Sequence, residues 1–199
     1  MSGSAAPPAP EAVLPLIAPE TTTDPSSTRA SLLRKNAHAF CRALLSPPPP
    51  PELIEKFFAP NSPRITEHGP SWATAALPFL GKTFSGKEGC VEYFEVLTKV
   101  LKMQMSESTF PGPEGFIVDV EAEVTDEGAG TGEETGKGVV SVVGRARFES
   151  VETGKGWDEA FVYRLSEWDQ EGRFGHWEIW ADPLSAWMAV KRKNGGEVT

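Results

Sequence analysis

After Met105 the spacing of apolar residues changes, from every third or fourth position upstream to every second position downstream. Strand side chains point alternately to two faces, so a period of two marks a half-buried strand. The longer period marks a helix with one buried stripe. Four segments carry the short period, near "GFIVDVEAEV", "GVVSVVGRARFESV", "GWDEAFVYRLSEW" and "RFGHWEIWA". "ETGKG" and "DQEGR" are turn signals between the last three, which read as consecutive antiparallel hairpins. "TDEGAGTGEETGKG" joins the first two and holds five glycines and four acids in fourteen residues. Its composition predicts a solvated loop over 125–138, and its glycines lack the spacing of a phosphate cradle.

Upstream the pattern is helical. Leu33, Ala37, Phe40, Cys41 and Leu44 share one face behind a Ser27 cap. Pro47–Pro51 stops that helix, because proline cannot donate the ladder hydrogen bond. "ELIEKFFAP" reads as a second, short helix starting from Pro51, with Leu53, Ile54, Phe57 and Phe58 as its apolar cluster. "PRITEHGPSW" reads as a short strand broken by Gly69–Pro70. A third helix starts at Ser85 and carries the stripe Cys90, Phe94, Leu97 and Leu101. Helices first and strands later predict an α+β domain, with helices on one face of a curved antiparallel sheet. The domain is expected over 27–190. A Pro/Ala/Ser/Thr-rich tail over 1–26 is expected to be disordered, and 191–199 to be a loose tail.

Composition narrows the partners. A chain of 199 residues, 39% hydrophobic and 24% charged, suits one globular domain with a real core. A net charge of −9 argues against nucleic acid, whose phosphates call for clustered Lys and Arg. The one basic cluster, Lys191–Arg192–Lys193, reads as part of the tail. No apolar stretch approaches the roughly 18 residues that span a bilayer, so no membrane partner is expected. The opening residues lack a basic n-region and prolines interrupt their short apolar run, which predicts a cytoplasmic protein. Cys41 and Cys90 both fall in helical segments and read as reduced, buried hydrophobes. With neither a His/Cys ligand cluster nor a phosphate loop, no metal and no cofactor are expected.

The order of elements, with "HGP" at 68–70, "LPFLGKTFSGKEG" before the long helix, and "EGRF" then "WEIWADP" at the close, carries a resemblance. Over roughly 29–190 the chain resembles the SnoaL-like branch of the NTF2-like (nuclear transport factor 2 type) α+β cone fold, and SnoaL-like proteins of fungi in particular. The resemblance implies a strongly bent sheet, about three N-terminal helices, an internal pocket, and pairing of two copies through the convex sheet face. It implies no single activity. Members include isomerases, dehydratases, polyketide cyclases, epoxide hydrolases and non-catalytic binding modules, so function rests on the site.

Alternation sends Trp177, Ile179 and Ala181 to one face of the last strand, and His176, Glu178, Trp180 and Asp182 to the other. In the long strand before it Val140, Val142, Gly144, Ala146 and Phe148 share a face. The apolar sets should look inward, making Ala146, Phe148, Trp177 and Ile179 a ligand wall, joined by Phe94 from the third helix. Those residues suit a plain core equally well. The strand between them stays open. Alignment with the ketosteroid isomerase branch turns Val162, Arg164 and Ser166 inward, whereas a tight turn at "ETGKG" favours Tyr163.

Four residues are candidates for chemistry. His68, at the end of the short strand, is the candidate acid or base, since an imidazole titrates near neutrality. Glu67 would then face the other way. Arg164 or Tyr163 would stabilise developing negative charge. Asp182, followed by Pro183 and Ser185, reads first as a helix N-cap and second as an acid at the pocket mouth. Trp72 is the aromatic expected over the mouth. These readings predict a pocket for a small hydrophobic molecule, with cofactor-independent isomerase, dehydratase or cyclase chemistry. The alternative is a non-catalytic module that binds a small molecule or pairs with protein.

Overall fold

The computed structural model of the chain describes residues 25–124 and 136–191. Most of the two tails and of the glycine-rich loop read from composition lies outside those residues.

Helix α1 (Pro25–Ala43) buries Leu33, Ala37, Phe40 and Cys41, the stripe that the spacing predicts. It begins two residues ahead of the expected Ser27 cap. Helix α2 (Pro50–Phe57) starts from Pro49 and buries Leu53, Ile54 and Phe57. Proline suits these first positions, where its missing N–H costs nothing. Strand β1 (Arg64–His68) leads through the turn at Gly81, whose φ of +67° favours glycine, into strand β2 (Lys82–Ser85). Helix α3 (Gly86–Val100) follows with Ser85 at its N-cap position. It ends one residue short of the predicted stripe, at strand β3 (Leu101–Gln104). Strand β4 (Ile117–Asp119) is all that forms of the strand expected in "GFIVDVEAEV". Strands β5 (Gly136–Ser150), β6 (Gly156–Trp168) and β7 (Phe174–Trp180) are the expected hairpins, and helix α4 (Pro183–Val190) closes the described chain.

Among the described residues the architecture is α+β: four α-helices on an open seven-stranded sheet of order β2-β1-β7-β6-β5-β3, with β4 also paired to β5. The sheet is mixed rather than antiparallel throughout, because β1 runs parallel to β7. Along β5 and β6 the register Val142↔Tyr163, Gly144↔Phe161 and Phe148↔Trp157 sets one continuous inner face. A Cβ at Gly144 would lie 2.4 Å from the Phe161 ring, so the space the glycine leaves is taken by aromatic packing. Phe40 of α1 packs edge-on against Trp177 at 5.0 Å and against Phe174 at 4.9 Å, joining helices to sheet. Among the described residues no helix is long and apolar enough to cross a membrane.

Candidate functional site

Strand β1 places the central acid. Ile65 pairs with Trp177 of β7 and is fully buried, so alternation turns Glu67 to the same inner face. Only 6% of Glu67 is exposed. Its Oε2 accepts a 2.7 Å hydrogen bond from the Tyr93 hydroxyl on α3. Burial pushes the Glu67 carboxyl up from the ordinary 4.5 to about 7; the Tyr93 bond opposes that rise and the charge of Glu159 adds to it. Burial likewise raises the phenols of Tyr93 and Tyr163 well above 10, so both keep their protons.

Strand β6 supplies the opposite wall. Glu149 pairs with Gly156, and that register turns Glu159, Phe161 and Tyr163 inward. The choice left open by the sequence is thereby decided: Tyr163 is 5% exposed on the inner face and Arg164 lies on the other. Among the described residues the Tyr163 hydroxyl makes no hydrogen bond. Glu159 accepts from the Trp157 indole N–H at 2.7 Å and from the Asp182 backbone N–H at 3.4 Å. Partial burial raises its carboxyl pKa. Asp182 caps α4, accepting from the backbone N–H groups of Leu184 (3.0 Å) and Ser185 (3.1 Å) and from the Ser185 hydroxyl (2.5 Å). The Ser185 hydroxyl is the main reason its pKa is lowered.

These groups line two adjoining cavities. The inner one, of about 40 Å³, is bounded by Glu67, Tyr93, Glu159, Tyr163, Ile179 and Asp182 among others. The outer one, of about 510 Å³, lies between the proline run Pro47–Pro50, α3 and the sheet, with Phe94 and Trp177 in its wall. Tyr93, Leu97, Met103 and Tyr163 border both. Chemically, the inner chamber sets a carboxyl that changes charge near neutrality beside a phenol whose donor is unused.

Several candidates stand elsewhere. His68 was expected to face the pocket but lies on the outer face, because Glu67 takes the inner position of the same strand. There its Nε2 lies 3.1 Å from Glu178 Oε1, and its ring stacks on Trp180 at 4.1 Å. Arg164 is ion-paired with the same buried Glu178, away from the chamber. Trp72 is 66% exposed and packs edge-on against Trp187 at 4.9 Å, lining neither chamber. Ala146 points inward but borders a shallow surface groove instead. Phe148, Ile179 and Asp182 line the inner chamber, Phe94 and Trp177 the outer one, and Tyr163 both.

The sequence reading missed Glu67, Tyr93 and Glu159 as site residues. A signal existed for the first two: Glu67 lies two residues from the apolar Ile65, and Tyr93 lies between Cys90 and Phe94 on the buried stripe. Glu159 had none, since its facing depends on the β5–β6 register. Among the described residues no group of three or more His, Cys, Asp or Glu is placed to hold a metal ion.

Neither a protein-family model nor a curated protein matches the chain. Solved structures do. An NTF2-like protein of unknown function from Burkholderia pseudomallei K96243 aligns with a TM-score of 0.50 at 18% identity, over 83% of this chain and 99% of that one. An NTF2-like protein from Burkholderia xenovorans LB400 aligns with a TM-score of 0.52 at 12% identity, over 83% and 98%. TerC, co-crystallised with polyporic acid, aligns with a TM-score of 0.52 at 16% identity, over 81% and 99%. At such identities the likeness concerns the fold alone. The chain has the NTF2-like α+β cone fold.

Proposed function

We propose that this chain is a cofactor-independent enzyme that moves a proton on a small, largely hydrophobic carbonyl compound, as in isomerisation, dehydration or cyclisation. One observation carries the reading: Glu67 is buried among apolar walls, is held by Tyr93, and titrates at about 7 in a chamber it shares with Tyr163. A carboxylate with a pKa near ambient pH can both take and return a proton. Ionised Glu67 removes a proton from the carbon next to the carbonyl. The electron pair moves onto the carbonyl oxygen, and the Tyr163 hydroxyl donates a hydrogen bond to the enolate that forms. Protonated Glu67 then returns the proton to another carbon, or to a leaving oxygen. Tyr93 positions the carboxylate without exchanging protons itself.

The test is deuterium uptake by ketones in D₂O, followed by NMR. Glu67→Gln should slow exchange by about 10²–10⁴-fold, and Tyr163→Phe by about 10²-fold. The wild-type rate should rise with pH through about 7, where Glu67 ionises. Wild-type rates from Glu67→Gln would defeat the reading.

A second reading, pairing of two copies without chemistry, is favoured by a different observation. Val143, Val162 and Trp180 are exposed on the outer face, and Val162 is the register partner of both of the others.

A further inference from the structure

We infer that the two chambers form one bipartite site, in which the inner chamber takes only the reacting carbonyl end of the substrate and the outer chamber takes a neutral apolar body. The assignment rests on the proton-transfer reading of Glu67 for its chemistry, but on separate observations for its shape. Size is the first. At about 40 Å³ the inner chamber has room for roughly three waters. A carbonyl and its neighbouring carbon fit there, and a ring system does not. At about 510 Å³ the outer chamber lies in the range that holds organic ligands.

Continuity is the second. The partition between the chambers consists of Tyr93, Leu97, Met103 and Tyr163, which border both. Met103 is its adaptable member, an unbranched side chain, 37% exposed, on a strand of four residues at the sheet edge. A molecule in the outer chamber therefore abuts the residues that hold and flank Glu67.

Wall chemistry sets the class of body. Phe94, Leu97, Met105, Leu53 and the prolines are apolar. The Thr98 hydroxyl is already committed to the Phe94 carbonyl at 2.8 Å. No basic side chain lines the chamber, and Glu95 is the one acid there. An anionic body would find no counter-ion and would carry a desolvation cost. The indole N–H of Trp177, a wall residue, is itself buried, so it presents no exposed donor to the chamber and the wall stays apolar there. Pro47–Pro50 form a stiff arch, because each ring fixes φ, so the outer chamber is preformed and its width limits the body. The substrate class is thus a neutral ketone with a short, unbranched carbonyl end and an aromatic or alicyclic body.

The probe is prodan, a neutral naphthalene bearing a propanoyl group, which reports both binding, by its fluorescence, and exchange, at its methylene protons. Thr98→Trp, from an exposed helix position, and Met105→Trp, from a partly buried one, place bulk in the outer chamber, and thermal unfolding checks that each folds. Both should weaken prodan binding by roughly tenfold or more and slow its exchange in step. Wild-type prodan affinity in both folded variants overturns the inference. So does failure of wild type to bind prodan, or loss of binding only with Ala186→Trp, on the α4 wall of the inner chamber. If Thr98→Trp blocks binding while Glu67→Gln leaves exchange untouched, the proton-transfer reading falls and the bipartite site stands.

Discussion

Glu67 and His68 are neighbours with opposite surroundings. One meets apolar walls and a phenol; the other stacks on a tryptophan beside a buried glutamate. An imidazole is the obvious group for work near pH 7, yet burial gives a carboxyl the same titration range. That burial has a stability signature. Folded chain keeps the Glu67 proton up to about pH 7, whereas unfolded chain releases it near 4.5. Folding therefore binds a proton across that window, and stability falls as pH rises through it. At about 1.4 kcal/mol per pKa unit the loss amounts to about 3 kcal/mol. Glu67→Gln can still accept the Tyr93 bond but carries no charge. Urea unfolding should show the variant equal to wild type near pH 4.5 and more stable by about 1–3 kcal/mol at pH 8. Equal losses in both would mean that Glu67 ionises freely in the fold. That Phe148, Trp177 and Ile179 face inward was legible residue by residue, because apolar alternation is local information. The acid was not: polar residues inside a cavity break the pattern that reveals the cavity.

At the scale of elements, segments with a clear period or a flanking breaker were readable, and the four-residue strands were not. The three buried-stripe helices and the hairpins β5, β6 and β7 follow from spacing alone. Strands β2 and β3, four residues each, do not fill enough periods to be recognised; they exist because β1 and β5 offer them a partner. The start of α4 was visible in Asp182–Pro183, and the geometry gives Asp182 the capping bonds that such a pair predicts. Asp182→Ala should cost about 1 kcal/mol, and Asp182→Asn a fraction of that, since asparagine caps comparably. Chemical denaturation of both variants measures the difference. A loss of deuterium exchange in Asp182→Asn at unchanged stability would instead assign the carboxylate a part in the chemistry.

For the whole molecule, the two sheet faces divide the work. The inner face is aromatic and encloses the chambers. The outer face carries the Arg164–Glu178–His68 cluster beside exposed Val143, Val162 and Trp180. If copies pair through that face, Val162→Lys would bury a charge at its centre. Sedimentation should then show a wild-type dimer and a monomeric variant, with prodan binding retained; monomeric wild type removes the second reading. The class of fold was legible from the order of periods, but the sheet's mixed character was not, because no local signal announces that β1 will lie parallel to β7.

That parallel pair joins positions about 110 residues apart, such as Thr66 and His176. Ribosomal synthesis therefore delivers Glu67 long before the strand that anchors it. Until residues 174–180 emerge, β1 lacks its long-range neighbour, so the enclosure of the acid is complete only once that strand docks. A chain still lacking that strand would leave this glutamate without part of its apolar cover, and the full rise in its proton affinity would register that the last strand has docked.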